Sequence, residues 1–364
     1  MTTPVPHSPQ LTGTGPTTTS PTTSPTTTSP TPPGLTRLGL TRTGLTSVAG
    51  LVLVATLLAA ILPTLLLPGS TSARDGSAAP DGNSLGDPDY GVCRGIDPRC
   101  YHDWGNFDPA NGYRILLYTR TAGPRHANLG PALPAGLNPP LAEANVVQNA
   151  LVRLGQANGF AVDWTEDLAQ LATPGRLLRY NAVVFFSTSR DTLDDPAQTS
   201  LRQYIRAGGG FVGIHNAFGT EYNWPWYEGL LGGANYFDHG RLQQGTIEVV
   251  HSQDASTEAL PRRWTFTDEW YNLVPFPSRV RILAKVDEST LASGVRGGMG
   301  HPGHGAMHPI AWCQYYDGGR AWVTTLGHDA REFGDGSDFT GALEFQKLII
   351  GGIQSAAGMK PFCR

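Results

Sequence analysis

The chain has 364 residues, with 26 Lys and Arg against 30 Asp and Glu, and a net charge of −4. No basic block stands in its globular part, so the electrostatic footprint of a nucleic-acid-binding protein is missing. Once the amino-terminal tracts are set aside, about 290 residues are left, enough for one large α/β domain or two small ones.

Residues 1–44 are dominated by Thr, Pro, Ser and Gly, with "TTTSPTTSPTTTSPTPP" at their centre. Such a tract buries too little apolar surface to offset its ordering entropy and is expected to be disordered. From Leu45 to Leu67 no residue is charged. As a helix this run would be roughly 34 Å long, enough for a bilayer's hydrocarbon core. Arg37 and Arg42 precede it, which keeps that side cytoplasmic and sends the rest outward. The span 45–68 is expected to be a single-pass membrane anchor, or a signal sequence cleaved near Thr71-Ser72-Ala73. Both readings export the domain.

Residues 69–110, rich in Gly, Pro, Asp and Ser, read as a linker. At its end Cys93 and Cys100 suit a small disulfide loop outside the cytoplasm; a zinc site there lacks a second pair. Cys313, in the apolar run "PIAWCQYY", reads as a buried small hydrophobe, and Cys363 as a free thiol.

The domain, 111–364, opens on the strand "YRILLYT", Tyr113 to Thr119, followed by a loop carrying Arg125 and His126. A helix follows, with Val146, Val147, Ala150, Leu151 and Leu154 at helical spacing and Gly159 at its end. "FAVDWT" and "NAVVFFST" are further strands. "PAQTSLRQYIRAGGG" is a helix entered by Pro196, and "GFVGIH" is the next strand. Near-continuous apolar strands alternating with helices imply parallel pairing with both faces covered. Ligands then bind at the strands' carboxyl ends. Beyond Tyr227 come the strands "GTIEVVHS" and "VRILAKVDE", then a hairpin of "HPIAWCQYY" and "GRAWVTTLG" turned at Asp317-Gly318-Gly319. A last helix has Leu343, Phe345, Leu348, Ile349 and Ile353 as core candidates. No Gly-x-Gly-x-x-Gly follows a strand, and no Walker sequence occurs.

The chemistry-bearing residues gather at strand ends. Gly213-Ile214-His215-Asn216-Ala217 has the small-x-residue-x-small pattern of a nucleophile elbow, with His215 in the presented position. His328 closes another strand beside Gly327. Imidazole at such places moves protons near neutral pH or binds a metal. His239, His251, His301 and His304 read as structural or solvated. In "TFTDEWYNL", Glu269 stands beside Asp268, Trp270 and Tyr271, either an acid against aromatic faces or an exposed pair on a loop. Glu221 is placed to orient His215. Tyr222, Trp224, Trp226 and Tyr227 follow the elbow, where flat rings suit the apolar faces of sugars. Of these, Trp226 and Tyr227 are the better core candidates.

Together "RILLYTRTAGPRH", "GGGFVGIHNAFGTEYNWPWY", "DEWYNL" and "HPIAWCQYYDGGRAWVTTLGH" resemble the ThuA-like, or trehalose-utilisation, family over about residues 112–358. The resemblance implies a three-layer flavodoxin-like sheet with helices on both faces, as in class I glutamine amidotransferases. There the elbow carries a cysteine; His215 in its place implies that amidotransferase chemistry is absent. The family is linked to catabolism of trehalose and related disaccharides, including 3-keto sugars. That implies an acid/base role for His215, with Glu269 as its partner and His328 and Arg125 orienting or polarising the substrate. His126, Glu221, Trp224, Tyr271 and His308 complete the expected substrate-binding set. The alternative within this chemistry is Zn²⁺ held by some of His215, Glu269 and His328. The expected partner is a small carbohydrate. A non-catalytic carbohydrate-binding domain and a cell-surface scaffold are the competing readings.

Overall fold

The computed structural model describes residues 90–364 apart from Asp108. The tail at 1–44, the span 45–68 and most of the linker lie outside the described residues. Among the described residues no helix is long and apolar enough to cross a membrane.

The elements in chain order are β1 (Arg94–Gly95), β2 (Tyr113–Tyr118), α1 (Val146–Ala157), β3 (Phe160–Thr165), α2 (Pro174–Leu177), β4 (Ala182–Phe186), α3 (Asp195–Arg206) and β5 (Gly210–Ile214). Then come α4 (Pro225–Leu230), β6 (Tyr236–His239), β7 (Gln243–Val249), β8 (Arg263–Asp268), β9 (Tyr271–Leu273), β10 (Arg281–Asp287), β11 (His308–Tyr316), β12 (Gly319–Thr324) and α5 (Ala342–Ala356). One large sheet runs β3-β2-β4-β5-β12-β11-β10-β7-β8, with β1 beside β11; β6 and β9 pair separately.

The first five strands of that order are mutually parallel. Renumbered among themselves they run 2-1-3-4-5, the flavodoxin-like order. Burial explains the two-sided cover. In β2, Ile115 and Leu117 face α1 and α5, while Leu116 and Tyr118 face α3 and α4, and all four are fully buried. The period of two thus distributes one apolar run between two cores. Close approach is built in by small residues: a side chain on Gly352 of α5 would strike the Trp322 ring at 2.4 Å.

Parallel pairing accounts for half of the sheet. From β12 onward every pairing, β11, β10, β7 and β8, is antiparallel. Each reversal flips direction, so β8 again points the way β12 points and delivers its last residue to the same edge. The β11–β12 hairpin turns on Asp317 and Gly318, both at positive φ (47° and 95°), as a two-residue primed turn requires.

Four expectations need correction. The linker ends in the expected Cys93–Cys100 disulfide loop, but that loop is docked on the domain: β1 pairs with β11 and Asp317 N–H donates to the Cys93 carbonyl. Cys313 and Cys363 are disulfide-bonded to each other, so neither is a lone hydrophobe or a free thiol. Leu343 is half exposed, because it lies on the outer side of α5. Finally, the reading of Asp268 and Glu269 as an exposed pair on a loop falls, because Asp268 is fully buried at the end of strand β8.

Candidate functional site

His215 follows β5 directly, at φ +54°, a left-handed conformation that a residue with a side chain adopts only under constraint. The small neighbours Gly213 and Ala217 let the chain turn there without leaving the core. Gly327, at φ +134°, fills the space against the His215 Cβ. The imidazole is fully buried. Its Nδ1 lies 2.9 Å from the Thr325 carbonyl, an acceptor only, so Nδ1 carries the proton. In the neutral ring, Nε2 therefore offers a lone pair. That atom lies 3.1 Å from His126 Nε2 and 3.0 Å from the Tyr271 hydroxyl.

Glu269 comes from the turn between β8 and β9. Its Oε2 lies 3.2 Å from His328 Nδ1, 3.6 Å from His239 Nε2 and 3.9 Å from His215 Nε2. Behind it, the fully buried Asp268 accepts from Glu269 N–H at 2.7 Å and from Gly327 N–H at 2.9 Å. One carboxylate so ties the end of β8 to the loop after β12. Asn128 adds a second tie, donating to the Gly327 and His328 carbonyls. The ligand atoms of His126, His215, Glu269 and His328 all lie within 4.8 Å of one another.

The electrostatics follow from burial and crowding. Burial, with His126 next, holds His215 well below the ordinary imidazole range. Burial and the neighbouring His328 push His126 down to about 4. Burial alone would raise the Glu269 carboxyl, but the imidazoles around it, His328 foremost, hold it low. Glu269 in turn raises His328 against its burial. Burial and the Glu269 charge keep the Tyr271 phenol protonated.

Other expected site residues lie elsewhere. Arg125 points back into its own loop, donating to the Gly130 and Pro131 carbonyls and pairing with Glu166 at 2.8 Å, so its guanidinium is engaged within the protein. Glu221 accepts from the Thr192 and Leu193 N–H groups and from Gln198, and makes no contact with His215. Trp224 stacks on Trp226 at 4.8 Å and belongs to core packing. His308 bridges Glu288 and the Tyr271 carbonyl, so it holds β9 in place without facing the cluster. His239, which the sequence reads as structural, is the last residue of β6 and stands 3.6 Å from Glu269.

A cleft of about 550 Å³ adjoins the cluster, lined among others by Pro124, Arg190, Asp191, Asn216, Tyr222, Tyr236 and Phe237. Tyr236 connects the two, packing on the Tyr271 ring at 4.6 Å.

The family model described as trehalose utilisation, ThuA, matches residues 114–356. The chain belongs to the ThuA family. Among solved structures, a ThuA-like protein from Bacteroides uniformis is 20% identical, over 66% of this chain and 90% of its own, with a TM-score of 0.49. One from Parabacteroides merdae is 18% identical, over 68% and 91%, also at 0.49. A protein from Thermoplasma acidophilum, described as one of the subunits of GMP synthase, is 12% identical over 67% and 96%, at 0.37. No curated protein matches the sequence. The ThuA match spans β2 to α5, and so includes every residue of the cluster.

Proposed function

We propose that this ThuA protein is an exported, membrane-tethered enzyme that acts by acid/base chemistry on a sugar or modified glycoside, a trehalose-related or 3-keto disaccharide. The observation that carries the reading is His215 at the elbow, with Nδ1 fixed on Thr325 and Nε2 turned to Tyr271, His126 and Glu269. Both described disulfides support export, since such bonds persist in oxidising compartments. The anchor itself would be residues 45–68.

In a 3-keto glycoside the carbonyl acidifies the neighbouring C–H. His215 Nε2 takes that proton, and the electron pair moves onto the carbonyl oxygen. The pair then returns to expel the glycosidic oxygen, or the proton is returned elsewhere and the sugar isomerises. Tyr271, kept protonated, donates to the developing oxyanion or to the leaving group. Glu269 stabilises the imidazolium that forms. The cleft supplies recognition: Tyr222 and Phe237 offer exposed ring faces to sugar C–H groups, with Arg190, Asp191 and Asn223 for hydroxyls. No thiol stands at the elbow, so amide transfer through a thioester has no nucleophile.

The test is the full chain and its His215→Ala variant incubated in D₂O with trehalose, related disaccharides and their 3-keto forms, followed by NMR. C–H exchange or product in the wild type, lost in the variant, is expected. Sugar binding without turnover, unchanged by the substitution, would replace the enzyme with a carbohydrate-binding domain.

A further inference from the structure

We infer that His126, His215, Glu269 and His328 form a divalent transition-metal site whose preferred ion is Zn²⁺. The proposal shares the site of the sugar reading but does not depend on the substrate.

Three nitrogens and one carboxylate oxygen converge from four separate segments, with no pair further apart than 4.8 Å. Tetrahedral zinc with bonds of about 2.0–2.1 Å sets its ligand atoms about 3.3 Å apart. The observed separations bracket that value: 3.1 Å for His126 to His215, 3.2 Å for His328 to Glu269 and 3.9 Å for His215 to Glu269.

Hydrogen bonding among the four groups does not account for this convergence. His215 Nε2 has one lone pair, and the Tyr271 hydroxyl already lies on it at 3.0 Å. A second donor from His126 Nε2 would have no acceptor of its own. It would also leave His126 Nδ1 as a bare lone pair, and that atom is buried with no hydrogen-bond partner. His328 Nδ1 is likewise buried, and its contact with Glu269 at 3.2 Å is an ion pair without the alignment of a good hydrogen bond. A cation there would take the lone pairs of His126 and His328 and the Glu269 carboxylate, and that of His215 Nε2 in exchange for the Tyr271 hydroxyl.

The outer contacts match what a metal-binding imidazole needs. His215 donates its other N–H to a backbone carbonyl, which fixes the tautomer and the ring plane. Asp268 fixes the backbone of Glu269, and Asn128 the carbonyl of His328. Three imidazoles and one carboxylate suit zinc over magnesium or calcium, which favour all-oxygen sets. His328 and His239 are each about a third exposed, which leaves a side open for a water or a substrate oxygen. An ion held by these four residues would occupy the His215 lone pair, so a metal-loaded site would supply a Lewis acid for the substrate oxygen and an ion-bound water of lowered pKa as the base in place of His215.

The experiment strips the full chain with a chelator, then titrates it with Zn²⁺ and with Co²⁺, reading metal per chain by mass spectrometry, affinity by calorimetry and the visible Co²⁺ spectrum. One equivalent of Zn²⁺ is expected, with affinity at least 10-fold weaker in His126→Ala and in the near-isosteric Glu269→Gln. His301→Ala, in the other histidine group, is expected to bind as the wild type. Circular dichroism confirms that each variant is folded. Uptake below one tenth of an equivalent by folded wild type would overturn the proposal, as would unchanged binding in both ligand variants. The sugar reading is judged separately. Zinc bound without turnover of any sugar leaves the site standing and removes the substrate; turnover by protein that takes up no metal does the reverse.

Discussion

Cys313 lies in the middle of β11 and is fully buried; Cys363 is the penultimate residue and 5% exposed. Their bond spans 50 residues and ties the carboxyl-terminal segment to the middle of the sheet, where Phe362 packs on Tyr315 at 5.0 Å. Closing a loop of that length in the unfolded chain removes about 14 cal/mol/K of entropy, or about 4 kcal/mol at 25 °C. The same relation gives about 2.4 kcal/mol for Cys93–Cys100, whose separation is 7. Cys363→Ala is the cleaner perturbation, because removing Cys313 would also open a cavity in the core. With a urea slope of about 3 kcal/mol/M, the Cys363→Ala midpoint is expected to fall by about 1.3 M in oxidising buffer. Replacing both Cys93 and Cys100 should lower it by about 0.8 M. Reductant added to the wild type should lower its midpoint by more than either change alone. A Cys363→Ala midpoint equal to the wild type, or full alkylation of Cys363 in non-reduced, denatured protein, would refute the reasoning. It would also remove one of the two supports for export.

Arg125→Ala is expected to destabilise the fold by about 3 kcal/mol, because Glu166, with its side chain 8% exposed, loses its ionic partner in the interior. Sugar affinity of the folded variant should be unchanged; a loss of turnover with stability intact would put the guanidinium on the substrate after all. Glu288 gives a pH prediction. Burial opposes its charge, but hydrogen bonds from His308 and the His304 N–H, with the His308 and Arg296 charges, bring it from 4.5 down to about 2. A depressed carboxylate stabilises the fold fully above its unfolded value, and that contribution is lost as pH falls from about 4.5 through 2. After allowance for partial solvent access it amounts to about 2 kcal/mol. Urea unfolding at pH 6 and pH 2.5 should show a steeper acid loss in the wild type than in Glu288→Gln; equal slopes would sink the assignment.

The parallel half of the fold was legible because its strands are buried on both faces. "RILLY", "AVVFF" and "GFVGI" permit no other use, and the glycines after α3 close that helix where the sequence places its end. β8 was harder. In Arg263–Asp268 the inward positions are Trp264, Phe266 and Asp268. A buried aspartate at the third of them breaks the apolar alternation and reads as a turn. That aspartate holds Glu269 and Gly327, so the residue that hid the strand is the one that builds the site. Cys363 was misread for a similar reason: nothing local relates it to a strand some 50 residues earlier.

The cluster divides along the same line. His215 and His328 were visible because each ends a strand beside glycine, a local signal. The associations of His126 and His239 with them are tertiary, set by strand order and by the direction of β8. Four reversals of direction after β12 return β8 to the parallel strands' carboxyl edge, and only that count brings Glu269 to His215. Arg125 and Glu221 show the converse. Each sits near the right edge in sequence, yet both are engaged within the protein, Arg125 by loop carbonyls and Glu166, Glu221 by the Thr192 and Leu193 N–H groups and Gln198. Proximity along the chain therefore fixed the edge at which chemistry occurs. The unspent lone pairs, which only the folded arrangement reveals, select the residues at that edge that remain free to bind.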